Sequence, residues 1–292
     1  MLDSFLKGTA SVLNLFLQFI LGIYNMFVGQ AVGMLGQDPA AWNTTAWTFV
    51  EGANDVFLGV AAVLVVIFFL MGFCADSIDI HQDMRLEQIL RMFIKLSIAE
   101  FFVVNSLTIV KKMFSLGSGL IQQLSGSDLT FEYAVAEEVS AILSDPLGNG
   151  ITGWDGGIGL ILLLILSVVF MLLVIGCAFL ILYEAFVRFF KILMMVPYGT
   201  LANSTLAGNK TLTHSAVSFW KYALETILSA VTMYMALALS ASVLSSGTLS
   251  LTAGWSGGFY VLGWMLESTF TCMLTLGTVK GAEQLTQKAL GL

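Results

Sequence analysis

The sequence predicts an all-α membrane protein: a polytopic bundle of about six transmembrane helices, or five if the first helix is interfacial, plus amphipathic interfacial helices. Hydrophobic residues make up 58% of the 292 residues and charged residues only 11%, against roughly 25% charged residues in soluble domains. Apolar residues also form continuous runs such as LILLLILSVVFMLLVIGCAFLILY. Because strands of a membrane barrel alternate over about ten residues instead, these runs indicate helices.

The apolar runs and the segments between them divide the chain into six parts. One run, Thr226–Leu266, is too long for a single span and has a centre rich in Ser, Thr and Gly, so we divide it into two helices. The predicted parts are a first hydrophobic helix with a polar stripe (1–37), an outer loop (38–55), spans two and three with an inner amphipathic helix at 82–95 (56–112), an acidic external segment (113–156), span four and an inner basic loop broken at a proline (157–225), and spans five and six with a cytoplasmic tail (226–292).

The distribution of basic residues predicts the orientation. Only Lys111 and Lys112 lie in the segments that we assign to the outside, and the other ten of the 12 Lys and Arg residues lie in the alternate segments. Cytoplasmic loops of membrane proteins carry such an excess of basic residues. We therefore expect both termini, including the C-terminus, to be cytoplasmic.

The first helix carries small or polar residues at helical spacing, and this polar stripe comprises Ser11, Asn14, Gln18, Gly22, Asn25 and Gly29. A helix with such a stripe can span the bilayer or lie flat on the outer leaflet. In the second case the N-terminus is outside and five spans remain. A signal peptide is a third alternative, although the apolar stretch is longer than the usual 7–15 residues.

The external segment is expected to contain an amphipathic helix from Ser127 to Asp145. Its apolar residues recur on one helical face, and Asp145-Pro146 ends the pattern. The members of that face are Phe131, Val135, Val139 and Ile142.

Two carboxylates, Glu100 and Glu267, fall inside predicted spans. A charged side chain facing lipid costs about 2.5–3.5 kcal/mol on insertion scales, so both should face protein or water. Each is either a proton or ion site or a hydrogen-bonded acid that fixes helix packing. Packing is favoured for Glu100, which can reach Lys95, and Glu267 is open between the two roles.

No motif points to catalysis. The sequence lacks a nucleophile elbow, an HExxH motif, a Walker A sequence and a dinucleotide fingerprint, so we expect neither an enzyme nor a cofactor. One cluster could bind a metal in principle, but an acidic first turn on the following helix explains it better, and no metal site is predicted. The cluster contains Asp76, Asp79, His81 and Asp83.

Residues 182–233 contain the most informative pattern. A span ends by exposing Glu184, Arg188 and Lys191 on one helical face, and an apolar turn follows and reaches Pro197, which should break the helix. After a polar inner loop, Trp220 begins the next span at the membrane interface.

This pattern resembles the TrbL-like family, the polytopic inner-membrane channel subunits of conjugative type IV secretion systems, and is closest to the short forms in Gram-positive conjugative elements. The resemblance is strongest over roughly 180–240, where Pro197, Trp220, Arg188 and Lys191 match family positions. It implies a bacterial cytoplasmic-membrane channel or scaffold subunit that forms a homo-oligomer among membrane lipids and works with other secretion subunits and ATPases. Contact with transported single-stranded DNA and its relaxase would be transient.

Two other functions stay open on the sequence alone. An ion-coupled secondary transporter or channel would use Glu267 as its coupling site, and inverted repeats, which we do not find, would support it. A membrane-embedded lipid enzyme would need clustered ligands at one depth, and only the 76–83 cluster qualifies.

Overall fold

The computed structural model describes residues 2–77, 86–125, 133–149, 151, 153–245, 252 and 254–291, and this part of the chain is helical with no strand. Its helices are α1 (Leu2–Leu35), α2 (Pro39–Trp42), α3 (Thr44–Ser77), α4 (Leu86–Val104), α5 (Ser106–Ser125), α6 (Glu137–Ser144), α7 (Gly153–Ser204), α8 (Lys210–Ser245) and α9 (Gly258–Leu290), with a 3₁₀ turn at Thr205–Ala207.

The long helices confirm the predicted fold class. Among the described residues, α1, α3, α7, α8 and α9 are each long and apolar enough to cross a membrane. The pair α4 and α5 passes the same test together but is bent by 63°, and counting it as one broken span gives six. The chain is therefore a multi-pass helical membrane protein.

The described chain divides into two compact units, which we describe separately. Unit 1 contains 1–34, 125–185 and 233–282, and unit 2 contains 35–124, 186–232 and 283–292. Each unit is thus assembled from three separate stretches of the chain.

In unit 2, α3 packs against α4 and against the 3₁₀ turn. The buried core there consists of small and β-branched side chains, which let helices approach closely: Ala61, Val65, Ala99, Val103 and Ala207. Phe69 contacts Phe93 near one end of the pair, and Glu51 contacts Lys111 near the other. Helix α3 therefore runs antiparallel to the bent pair α4–α5.

The predicted outer loop 38–55 is mostly helical. Asp38 caps α2 by accepting a hydrogen bond from the Ala40 amide at 3.0 Å, and Asn43 accepts one from Ala46 at 3.0 Å as α3 begins. Two such caps in succession allow the chain to turn within a few residues and start a new helix. Trp42 then packs edge-on against Phe189 of α7.

The third span also differs from its predicted form. We expected a separate amphipathic helix at 82–95 followed by a span, whereas α4 continues without interruption to Val104 and the break comes at Asn105. The Asn105 side chain donates to the Phe101 carbonyl at 2.9 Å, so it competes with the backbone for a helical acceptor. Residues 82–85 lie outside the described part of the chain.

The prediction that Pro197 breaks the helix is wrong. Helix α7 continues past it to Ser204, although proline cannot donate to the carbonyl four residues earlier. Val196 and Thr200 beside it are fully buried, and the Thr200 hydroxyl donates to the Pro197 carbonyl at 2.8 Å. Packing against neighbouring helices commonly allows proline within membrane helices, and the burial of Val196 and Thr200 shows such packing here.

Two glycines of unit 2 mark places where helices approach without an intervening side chain. A Cβ at Gly117 of α5 would lie 2.5 Å from Cγ2 of Ile227 on α8, closer than atoms can pack. A Cβ at Gly199 of α7 would lie 2.6 Å from the Ser106 hydroxyl. An alanine at either position would force the facing side chain to shift.

In unit 1, α1 runs in the same direction as the first part of α7. Leu6 lies beside Gly157 at one end, and Phe27 packs edge-on against Phe179 at the other. If the N-terminus were cytoplasmic and α7 began outside, α1 and α7 would be antiparallel. The parallel packing therefore does not agree with both of these predictions together. The prediction for the N-terminus depended on Lys7 alone, opposed by Asp3, so the charge bias there is negligible.

Candidate functional site

A non-helical piece of backbone is held by the side chain of one asparagine in unit 1. Asn25 of α1 donates from its amide nitrogen to the Tyr133 carbonyl at 2.9 Å, and its amide oxygen accepts from the Tyr133 backbone N–H at 2.9 Å. Residues 133–136 precede α6 without helical structure. Asn25 therefore replaces the backbone partner that a helix or a strand would supply.

The side chain of Tyr133 is fixed from two further directions. Its hydroxyl lies 2.7 Å from the Ser268 hydroxyl of α9, and its ring stacks on Trp264 with 6.4 Å between centroids and an interplanar angle of 7°. Tyr24 of α1 meets the same ring edge-on. We call Asn25, Tyr133, Trp264 and Ser268 the Tyr133 anchor.

The Tyr133 anchor lies at the middle of two spans. Asn25 is near the centre of the charge-free stretch 8–37, and Ser268 is at the centre of the apolar stretch 258–279. Irregular backbone at membrane depth occurs only where it is buried in protein or lines a water-filled cavity. The Tyr133 segment therefore enters the helical bundle.

The helix expected over 127–145 is confirmed only in its second half, and its external position stays a prediction. Residues 127–132 lie outside the described part of the chain. In the described residues, only Glu137–Ser144 are helical, and Val139 and Leu143 are buried. The Ser140 hydroxyl contacts the Asn14 side-chain oxygen at 3.4 Å, so a second member of the α1 polar stripe holds this segment. Residues 133–136 differ from the prediction because Tyr133 is held by partners on α1 and α9 that lie far away in sequence.

A second polar cluster, which we call the Asn203 node, lies in unit 2. The fully buried Asn203 accepts from the Trp220 indole N–H at 2.8 Å, and its amide donates to the Phe102 carbonyl at 3.1 Å and to the Ser106 hydroxyl at 3.3 Å. Trp220 is half-buried and belongs to the interior of α8, which starts at Lys210. The node thus joins α7 and α8 to the bend between α4 and α5.

The predicted basic face of α7 is not exposed as a group. Arg188 is only 8% exposed, and Glu184 is half-buried. Lys191 donates to Glu283 of α9 at 2.6 Å, and both side chains are partly exposed. Because α7 continues as a packed helix beyond these residues, Arg188 and Lys191 pack within their own chain rather than project from a helix end.

The two intramembrane carboxylates lie in different units and are described apart. Glu100 is exposed on α4, and Glu267 is half-buried on α9, where its backbone carbonyl accepts from the Thr271 hydroxyl at 2.8 Å. Unit 1 contains Glu184 and Glu267, and unit 2 contains the other predicted site residues, which are Glu100, Arg188, Lys191, Pro197 and Trp220.

A family model described as TrbL/VirB6 plasmid conjugal transfer like protein matches residues 24–200, which is more than half of the chain. The chain belongs to the TrbL/VirB6 family. No curated protein and no solved structure matches the chain significantly.

The TrbL/VirB6 match covers more of the N-terminal half than the resemblance over 180–240 suggested. It includes Asn25, Tyr133, Arg188, Lys191 and Pro197. Trp220 lies beyond its end. The family assignment therefore rests on the chain from α1 into α7, and neither α8 nor α9 contributes to it.

Sequence reasoning missed Asn203 and Tyr133 in this TrbL/VirB6 chain. The polar stripe on α1 indicated that this face of the helix contacts polar groups. It could not show that the partner is the segment that contains Tyr133. The predicted acidic cluster at 76–83 lies outside the described residues, apart from the backbone of Asp76. Among the described residues, no group of three or more His, Cys, Asp or Glu side chains could hold a metal ion.

Proposed function

We propose that this chain is a channel or scaffold subunit of a conjugative type IV secretion machine, placed in the bacterial cytoplasmic membrane with its C-terminus in the cytoplasm. The observation that carries the proposal is the TrbL/VirB6 match over residues 24–200, in a chain with five to six possible spans. Membership of this family supports a part in conjugal transfer, and the long spans support a position in the membrane.

A conduit for DNA needs a neutral, hydrated lining and an energy source. Helix α1 has an exposed face of polar or small residues that water can contact. Its members belong to the polar stripe and are Ser11, Gln18, Gly22 and Gly29. The 12 Lys and Arg residues form no dense basic run, which favours passage of single-stranded DNA and its relaxase over tight binding. Partner ATPases would provide the energy, since the sequence has no Walker A motif.

Glu100 supports assembly of several copies with other secretion subunits. Its carboxylate is exposed on α4 beside Phe101 and Ile98, which are 59% and 47% exposed. A carboxylate facing lipid is unfavourable, so this face should meet water or another subunit. We expect a homo-oligomer in which α4 lies at a subunit boundary.

The test is transfer of a conjugative element from donor cells that lack this gene. Transfer should be lost, and expression of the full chain in trans should restore it. Formaldehyde crosslinking during transfer should then recover transferred DNA with the subunit, but not from donors that lack the secretion ATPases. Normal transfer from the deletion donor would refute the proposal, and restored transfer without any DNA contact would favour a scaffold over a channel.

A further inference from the structure

We propose that residues 133–149, seated between α1 and α9 by the Tyr133 anchor, form a plug that closes the conduit at rest and leaves its seat when substrate passes. The proposal rests on the proposed conduit function. It concerns only unit 1, to which the segment and both helices belong.

The first argument is the way in which the segment is held. Residues 133–136 make no helix, and Tyr133 is fixed by side-chain groups of Asn25 and Ser268 rather than by a backbone ladder. Ring packing on Trp264 and Tyr24 adds to these hydrogen bonds, but no backbone ladder joins the segment to its neighbours, so it can be released as a local unit without unfolding them.

The second argument is the chemistry of the seat. Asn14, Asn25 and Ser268 present amides and a hydroxyl, which water can satisfy after the segment leaves. The buried Val139 and Leu143 add apolar contacts, but the polar partners of the segment would not be left unsatisfied by its departure. A seat that can be hydrated suits a part that moves.

The third argument is that one side of the segment is buried and apolar while another side is exposed and acidic. Val139 and Leu143 are buried, whereas Glu137 and Glu138 are exposed. Carboxylates at span depth cannot face lipid without a large cost, so this side should face water. The exposed members of the polar stripe, including Gln18 and Gly22 of α1, also belong to this unit. The segment therefore separates the bundle from an aqueous path.

The decisive experiment locks the segment in its seat. Asn14 and Ser140 approach to 3.4 Å between side-chain oxygens, so Asn14→Cys with Ser140→Cys can be joined by a short, cleavable thiol crosslinker. The full chain is used in donors after Cys74, Cys177 and Cys272 are replaced by alanine and transfer is verified. Crosslinking should reduce transfer to the level of donors without the gene, and reduction of the linker should restore it.

The controls separate this proposal from the proposed function. Asn14→Cys and Ser140→Cys as single variants, treated with the same reagent, measure the effect of modifying each side alone, and transfer should fall further only where the two thiols are joined. Undiminished transfer by donors with the segment fully locked would overturn the plug while leaving the conduit role intact. Normal transfer by donors that lack the gene would instead remove the conduit role.

A second measurement releases the segment. Asn25→Leu removes both hydrogen bonds to the Tyr133 backbone, so Ser140→Cys should become reactive toward a membrane-impermeant maleimide and the donor membrane should leak small ions. Gln18→Leu on the same polar stripe is the matched control and should leave Ser140→Cys protected. Tyr133→Phe, which loses only the Ser268 contact, should give a smaller increase. Equal protection of Ser140→Cys in Asn25→Leu and Gln18→Leu proteins would contradict the proposal.

Discussion

Trp220 donates its indole N–H to the buried side-chain oxygen of Asn203 across 2.8 Å, and so fixes the amide whose nitrogen reaches the Phe102 carbonyl. Because Phe102 lies just before the break at Asn105, this one amide holds the bent pair α4–α5 to α7 and α8. A buried amide with partners on each side gives such an arrangement geometric specificity.

The Asn203 node predicts a stability loss in Trp220→Phe. The change keeps an aromatic ring but leaves the Asn203 oxygen without its donor, which should cost about 1–3 kcal/mol. Thermal unfolding of the purified full chain in detergent should show the lower midpoint. Trp255→Phe, at a side chain that is 46% exposed, is the control. Adding Asn203→Leu to Trp220→Phe should recover part of the loss, and a midpoint equal to that of the control would argue against the node.

The Lys191–Glu283 contact predicts the result of a charge swap. Lys191→Glu places two carboxylates together and should lower transfer and incorporation into the membrane complex without abolishing insertion. Lys191→Glu with Glu283→Lys should restore both, because the pair is re-formed with reversed polarity. Partly exposed pairs contribute only about 0–1 kcal/mol, so a moderate effect is expected. Lys288→Glu is the exposed control, and failure of the swap to rescue would indicate that Lys191 contacts a partner instead.

The direction of α1 predicts the side on which the N-terminus lies. If α7 starts outside, the parallel α1 places Ser4 outside too, so Ser4→Cys and Ser144→Cys should react with an impermeant reagent in intact cells. Thr211→Cys, near the start of α8, should react only after the cells are opened. All three side chains are exposed in the structure. Protection of Ser4→Cys in intact cells would restore the original prediction of a cytoplasmic N-terminus.

Substitution of Glu267 distinguishes between the two proposed functions, a conduit and an ion-coupled transporter. Glu267→Gln keeps the shape and hydrogen bonding of the side chain but cannot ionise. A conduit subunit should therefore keep near-normal transfer, whereas a transporter should lose coupling. The measurement is transfer at matched membrane levels of the protein, with Glu267→Leu as a packing control. Complete loss of transfer in a normally inserted Gln variant would count against the conduit.

The sequence determined the helical membrane class because long apolar runs have few alternatives in lipid. Helix ends were less predictable. Pro197 was expected to end a helix, but α7 continues through it with Val196 and Thr200 buried. The packing there comes from residues distant in sequence, such as Ser106 and Phe219 beside Gly199. The helix breaks at Asn105, whereas the sequence pattern predicted that an amphipathic helix ends at residue 95 and the span follows it.

The candidate site was only partly predictable for the same reason. Trp220 and Lys191 were recognised, but as an interface anchor and an exposed basic group. Their partners Asn203 and Glu283 are distant in sequence or unremarkable in type. Asn25 was recognised within a stripe, yet its partner is a backbone group of Tyr133, which carries no sequence signal.

The close approach of Gly117 to Ile227 indicates a substitution by which the protein could be inactivated in living cells. A methyl group at residue 117 would push against a stiff, branched side chain, so Gly117→Ala should weaken the joint between α5 and α8 while changing neither charge nor polarity. Overpacking of this kind typically costs about 1–3 kcal/mol, which is survivable in cool cultures and damaging in warm ones. Gly117→Ala is thus a natural starting point for a temperature-sensitive allele, with which donors could be grown normally and then stopped at a chosen moment of mating.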